Sequence, residues 1–133
     1  MFGWDVTKTI APLCTEITNV TSFYSGHYKH YGLNCQGVCD DKLRFIYFGV
    51  VGPGSMNDNI AFLLAGSLAD TIKGLPPGCF FLGDAAYTLS ENLLIPFTGS
   101  QRDVPENDSF NFYLSQLRIR IEMTFGWFVS KQI

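Results

Sequence analysis

The stretch Cys79-Phe80-Phe81-Leu82-Gly83-Asp84-Ala85-Ala86-Tyr87 decides how this chain is read. Four apolar residues in a row predict a short buried strand. Gly83 and Asp84 then set a small residue and an acid at its carboxyl end, where backbone can approach a ligand and a carboxylate can point out of the core. Taken alone, an acid after a strand is more often a turn or cap residue.

Upstream, residues 31–39 alternate apolar and polar, Asp40-Asp41-Lys42 offers turn chemistry, and Leu43 to Val51 is an aromatic, β-branched run. This pattern predicts an antiparallel hairpin, which the 79–83 strand should join. Gly52-Pro53-Gly54-Ser55 ends the second strand, and Asn57 or Asp58 can cap a helix with apolar positions Ile60, Leu63, Leu64, Leu68 and Ile72. Downstream, Leu93 to Phe97 reads as another strand and Thr98 to Ser109 as a surface loop. A long terminal helix is expected from Phe110, with Tyr113, Leu117, Ile121 and Phe125 as its core stripe. Arg118 and Glu122 lie four apart on that helix, an ordinary spacing for an ion pair.

Packing the helix on the sheet can bring Glu122 to Asp84. Two carboxylates held close repel unless a cation sits between them, and hard oxygen ligands with open positions suit Mg²⁺ or Mn²⁺. Acids converging from a strand end and a helix are how two-metal phosphoryl-transfer sites are built.

The length of 133 residues suits one domain, 1–133, and the 47% hydrophobic content supplies a core. No apolar run is long enough to span a membrane, and no basic-then-apolar leader opens the chain. The expected location is therefore nucleus or cytoplasm, not a secretory route. Cys14, Cys35, Cys39 and Cys79 lack paired zinc spacing and read as small buried hydrophobes. The sequons at Asn19 and Asn107 carry no weight without secretion. A net charge of −3 is the wrong sign for a free-standing DNA-binding module, so any DNA affinity must come largely from a separate domain or partner protein.

Several short motifs occur in one order. They are residues 23–28 (Phe-Tyr-Ser-Gly-His-Tyr), 31–36 (Tyr-Gly-Leu-Asn-Cys-Gln), Asp40, Arg44-Phe45, 53–58 (Pro-Gly-Ser-Met-Asn-Asp), 83–87, Pro96-Phe97, Phe110-Asn111 and 118–126. Over residues 2–131 the chain resembles the DDE superfamily endonuclease domain of PIF/Harbinger-type transposases. The resemblance implies an RNase H-like α/β fold, a mixed sheet flanked by helices and incomplete at its amino terminus. It implies DNA as substrate and a divalent cation as cofactor, with Asp84 and Glu122 as catalytic metal ligands. Asp58 matches a further acid with a metal or supporting duty, beside its reading as a helix cap. Arg118 looks like a residue that orients Glu122 or contacts phosphate, beside its reading as a plain salt-bridge partner. His27, Lys29 and His30 lie in a basic, aromatic stretch that either touches a DNA backbone or covers a sheet edge.

The family's first acid precedes a Gly on the first strand, and aligning that pair puts Phe2 where the acid belongs. Asp5 is the nearby substitute, but an odd offset along a strand points to the opposite face. Two functions follow: a metal-dependent nuclease that hydrolyses and transfers DNA strands, or an inactive transposase remnant acting as a binding module or without function.

Overall fold

The computed structural model describes residues 2–6, 20–26 and 29–131, the side chains of 2–6 and of His30 excepted. Cys14, the Asn19 sequon, His27 and the side chains of Phe2, Asp5 and His30 lie outside what is described.

The central sheet has the order β1-β4-β5, with β1 (Phe2–Val6), β4 (Leu33–Cys39) and β5 (Phe45–Pro53) all antiparallel to their neighbours. Two short strands, β2 (Tyr24–Ser25) and β3 (His30–Tyr31), form a separate ribbon between β1 and β4 in sequence. The expected hairpin is therefore present. Asp40 makes its turn: Oδ1 accepts from the Lys42 and Arg44 amides, and Oδ2 takes the Arg44 guanidinium at 2.6 and 2.8 Å. That clasp lets Leu43 adopt a left-handed φ of 60°.

Three expectations about the elements themselves are corrected. The 79–83 strand does not join the hairpin. Its regular part, β6 (Phe81–Leu82), pairs parallel with β7 (Leu93–Leu94) in a two-stranded sheet of its own. The helix after Ser55 is two helices, α1 (Asp58–Leu64) and α2 (Ser67–Lys73), separated at Gly66 with φ 55°. The break changes which residues meet the core, so Ala61, Phe62, Leu68, Ala69 and Ile72 are buried while Ile60, Leu63 and Leu64 are exposed. The final helix, α3 (Pro105–Lys131), starts inside the expected loop, with Pro105 at its first position and Glu106 and Asp108 in its first turn. A short 3-10 turn, Gly99–Asp103, precedes it.

The two faces of β4 bury different partners. Val38 packs with Phe62, Leu68, Ala69, Ile72, Tyr87 and Leu93, against α1, α2 and β7. Cys35 packs with Ile121 and Phe125 of α3, flanked by Leu33, Cys39 and Phe45. On the α3 stripe only Ile121 and Phe125 behave as expected, because Tyr113 is 68% and Leu117 52% exposed and Leu114 is the buried residue of that turn. Of the cysteines, Cys35 is buried, Cys39 half-buried and Cys79 exposed, so the last corrects its reading as a buried hydrophobe.

At Gly37 a side chain of α3 lies directly on the sheet: a Cβ there would stand 2.8 Å from Phe125 Cζ and 3.0 Å from Phe45 Cε1. Gly37→Ala should therefore cost about 1–3 kcal/mol of unfolding free energy by overpacking, read from the urea midpoint. The Arg44 contacts hold the Asp40 carboxyl below its ordinary value of 3.8. A lowered carboxyl stabilises the fold above the unfolded value and loses that contribution as pH falls through the folded one. The melting-temperature difference between wild type and Asp40→Asn should thus be constant at neutral pH and shrink below about pH 4.

Candidate active site

A buried chain of polar side chains ties the site together. Tyr87 donates its hydroxyl to Gln36 Oε1 at 3.0 Å, and Gln36 Nε2 donates to Asn34 Oδ1 at 2.9 Å. Asn34 Nδ2 then donates to Asp58 Oδ1 at 2.8 Å and to the Met56 carbonyl at 3.1 Å. Gln36 is fully buried and Asn34 nearly so, which is tolerable only because their amides are paired. The 31–36, 53–58 and 83–87 motifs are thereby one connected object. Sequence reasoning did not single out Asn34, Gln36 or Tyr87 as a unit, although each stood in a quoted motif.

Asp58 is half-buried at the start of α1, but it does not cap the helix. Asn57 does, its Oδ1 accepting from the Asn59 and Ile60 amides. Asp58 is instead the acceptor at the end of the polar chain.

Asp84 stands just past β6, in the turn that leads to Tyr87. Its Oδ1 accepts from the Ala86 amide at 2.8 Å, so it is a turn residue. Its Oδ2 faces Arg118 Nη2 at 3.9 Å, so it is also an electrostatic partner. Thr88 N donates to Asn59 Oδ1, fastening the far end of the turn to α1. Gly83 was expected to give a ligand access to the backbone. It is buried instead, and a Cβ there would meet Leu93 and Tyr87 side chains at 3.2 Å, so packing demands the glycine.

Arg118 and Glu122 come from α3. Ile121 and Phe125 anchor the helix in the core, which sets Arg118 half-buried beside β6 and leaves Glu122 exposed one turn on. Arg118 also lines a cleft of about 210 Å3 with Phe81, Leu82 and the end of β4. Burial pushes its guanidinium below the ordinary value, while Asp84, Glu122 and Tyr87 push it back up. Asp84 and Glu122 thus both act on one cation. Arg120, two positions on, donates to the Asp41 carbonyl at 2.8 Å and fastens α3 to the hairpin tip.

In kind, the Asp84 and Glu122 oxygens fit a hard divalent ion. In number, no three His, Cys, Asp or Glu residues among the described ones gather as a metal cluster. β1 pairs with β4 through five consecutive residues, from Phe2↔Gly37 to Val6↔Leu33, without a bulge. Position 5 lies level with Asn34 of the polar chain, and position 2 lies level with Gly37 beneath Phe125.

A family model described as DDE superfamily endonuclease matches residues 10–130. The chain belongs to that family of nucleases, whose members act on DNA and generally use divalent metals. The match begins after β1. Comparisons with curated proteins and with solved structures gave no significant match. No helix among the described residues is long and apolar enough to cross a membrane.

Replacing Gln36 by Leu strands the Asn34 carbonyl oxygen and removes the acceptor of the Tyr87 hydroxyl, at about 1–3 kcal/mol for each buried group left unmatched. The expected loss of stability should be smaller in Gln36→Leu/Tyr87→Phe than the sum of the single losses, because both act on one chain.

Proposed function

We propose that this chain is one domain, 1–133, derived from a PIF/Harbinger-type transposase. In this reading it has the RNase H-like arrangement and works on DNA in the nucleus with a separate DNA-binding domain or partner. Asp84 and Glu122 would hold a divalent cation, Mg²⁺ or Mn²⁺, which when bound activates water or a 3′-hydroxyl and steadies the phosphate's developing charge. What supports the reading is that Asp84, at a strand end, stands 3.9 Å from Arg118, while Glu122 lies one turn further along α3 and favours the charged form of the same guanidinium. Arg118 balances their charge and presents donors to phosphate. Asp58 acts through Asn34, Gln36 and Tyr87 by holding the turn that carries Asp84.

A second reading, an inactive remnant retained for binding, is favoured by Phe2 in the place of the first acid. The unbroken β1 register also favours it, since it offers no bulge that would move Asp5 to that level. Two-metal chemistry needs both ions in line across the attacked phosphate, and each 1.4 kcal/mol lost there is about tenfold in rate. The chain as it stands should therefore nick supercoiled plasmid at least about tenfold more slowly than its Phe2→Asp variant in Mn²⁺. Asp84→Ala and Glu122→Ala should abolish any nicking and weaken Mn²⁺ binding measured by paramagnetic resonance. Robust wild-type cleavage unaffected by Phe2→Asp would overturn the lost-ligand reading, and Mn²⁺ binding indifferent to both alanines would overturn the metal site.

A further inference from the structure

We propose that the cavity between the 96–103 segment and the middle of α3 holds one unstacked nucleotide of DNA, its phosphate on Arg102 and Arg118 and its base against Phe112. The proposal rests on the nuclease reading for its ligand class and adds a binding subsite beside Asp84.

The cavity is about 500 Å3, within the roughly 300–1,000 Å3 typical of small-ligand sites. Ala85, next to Asp84, forms part of its wall, and Arg118 belongs both to that wall and to the Asp84 contact. Arg102 reaches the same cavity from the 3-10 turn, and among the described residues it makes no ion pair. Two guanidiniums therefore border the cavity with one lining carboxylate, Asp108, and since Arg118 is shared with Asp84, Arg102 is the cation that the lining leaves to a phosphate. Planar guanidinium forks match phosphate better than any other side chain does.

The apolar part of the lining points to a base. Phe112 is 58% exposed on α3, where nothing in the core requires it, and it borders the cavity together with Phe97. A partly open aromatic face stacks on any base, but only on one removed from duplex stacking, so the ligand is single-stranded or locally splayed DNA. The wall is also preformed. Asn111 Oδ1 accepts from the Phe97 amide at 2.8 Å and its Nδ2 donates to the Phe97 carbonyl at 2.9 Å, pinning the segment to α3. Asn107 Nδ2 donates to the Gln101 carbonyl and fixes the turn that carries Arg102. Two of the quoted motifs, Pro96-Phe97 and Phe110-Asn111, thereby acquire a role that the metal site does not give them.

The test is fluorescence anisotropy of a labelled oligothymidylate with the purified chain in EDTA, so that no metal contributes. Phe112→Ala, an exposed position whose loss should leave the melting temperature unchanged, is expected to weaken single-strand binding about fivefold to a hundredfold. Arg102→Ala should lower the slope of log affinity against log salt by about 0.7, the value for one phosphate contact on a single strand. Lys73→Ala on α2 should leave that slope alone. Wild type without affinity, Phe112→Ala binding like wild type, or Lys73→Ala lowering the slope as much as Arg102→Ala would each overturn the subsite. Loss of the Mn²⁺ site with these effects intact would overturn the nuclease reading alone.

Discussion

The side-chain chain from Tyr87 through Gln36 and Asn34 to Asp58 is the constraint on which the site depends. A buried primary amide without partners costs several kcal/mol, so Gln36 and Asn34 admit few arrangements of their surroundings. β4 carries both amides, α1 begins at the carboxylate that receives the last donor, and the turn after β6 ends at the phenol that supplies the first. Sliding β4 by one residue would exchange Asn34 and Gln36 for Cys35 and Gly37 and break every link. Because Tyr87 is held there, Asp84 three positions earlier is held at the mouth of β6.

The opposite face of β4 fixes the other half of the site. Phe125 stacks edge-on to Phe45 with centroids 5.0 Å apart, and Phe48 and Phe128 extend the cluster. The absence of a side chain at Gly37 lets the Phe125 ring approach the backbone. That contact sets the rotation of α3, and with Ile121 and Phe125 inward, Arg118 falls beside β6 and Glu122 at the solvent boundary. Site and core are thus two consequences of one packing: the polar network positions Asp84 and the aromatic cluster positions Arg118 and Glu122.

Parts of this were legible in the residues. The 33–53 hairpin follows from alternation and from Asp40, and the cap at Asn57 follows from chain chemistry, because each depends on neighbours a few positions away. The misreadings share a cause. Ile60, Leu63 and Leu64 fit a helical stripe only if the helix continues, and Gly66 ends that continuity. Tyr113 and Leu117 also fit a stripe, but the buried face of α3 runs through Leu114, Arg118, Ile121 and Phe125, which turns those two to solvent. Phe81 and Leu82 read as a strand and are one, but their partner is Leu93–Leu94 rather than the hairpin, a choice among edges that local pattern does not encode. The polar chain was least legible, since Tyr87 and Gln36 are 51 positions apart and buried amides look like ordinary loop polarity until a fold pairs them.

Arg118 bears on both readings of the function. A guanidinium beside two carboxylates offsets their repulsion, as a metal would, and it does so permanently because even a lowered arginine stays protonated. It cannot, however, lower the pKa of a bound water or polarise a phosphoryl oxygen as a Lewis acid does. Folding alone can therefore hold Asp84 against Arg118, whether or not a cation follows. An acid held by an arginine is consequently weaker support for catalysis than membership of a nuclease family is. The backbone position on β1 level with Gly37 is where the two readings part, since the family's first acid aligns there and the chain carries Phe2 instead.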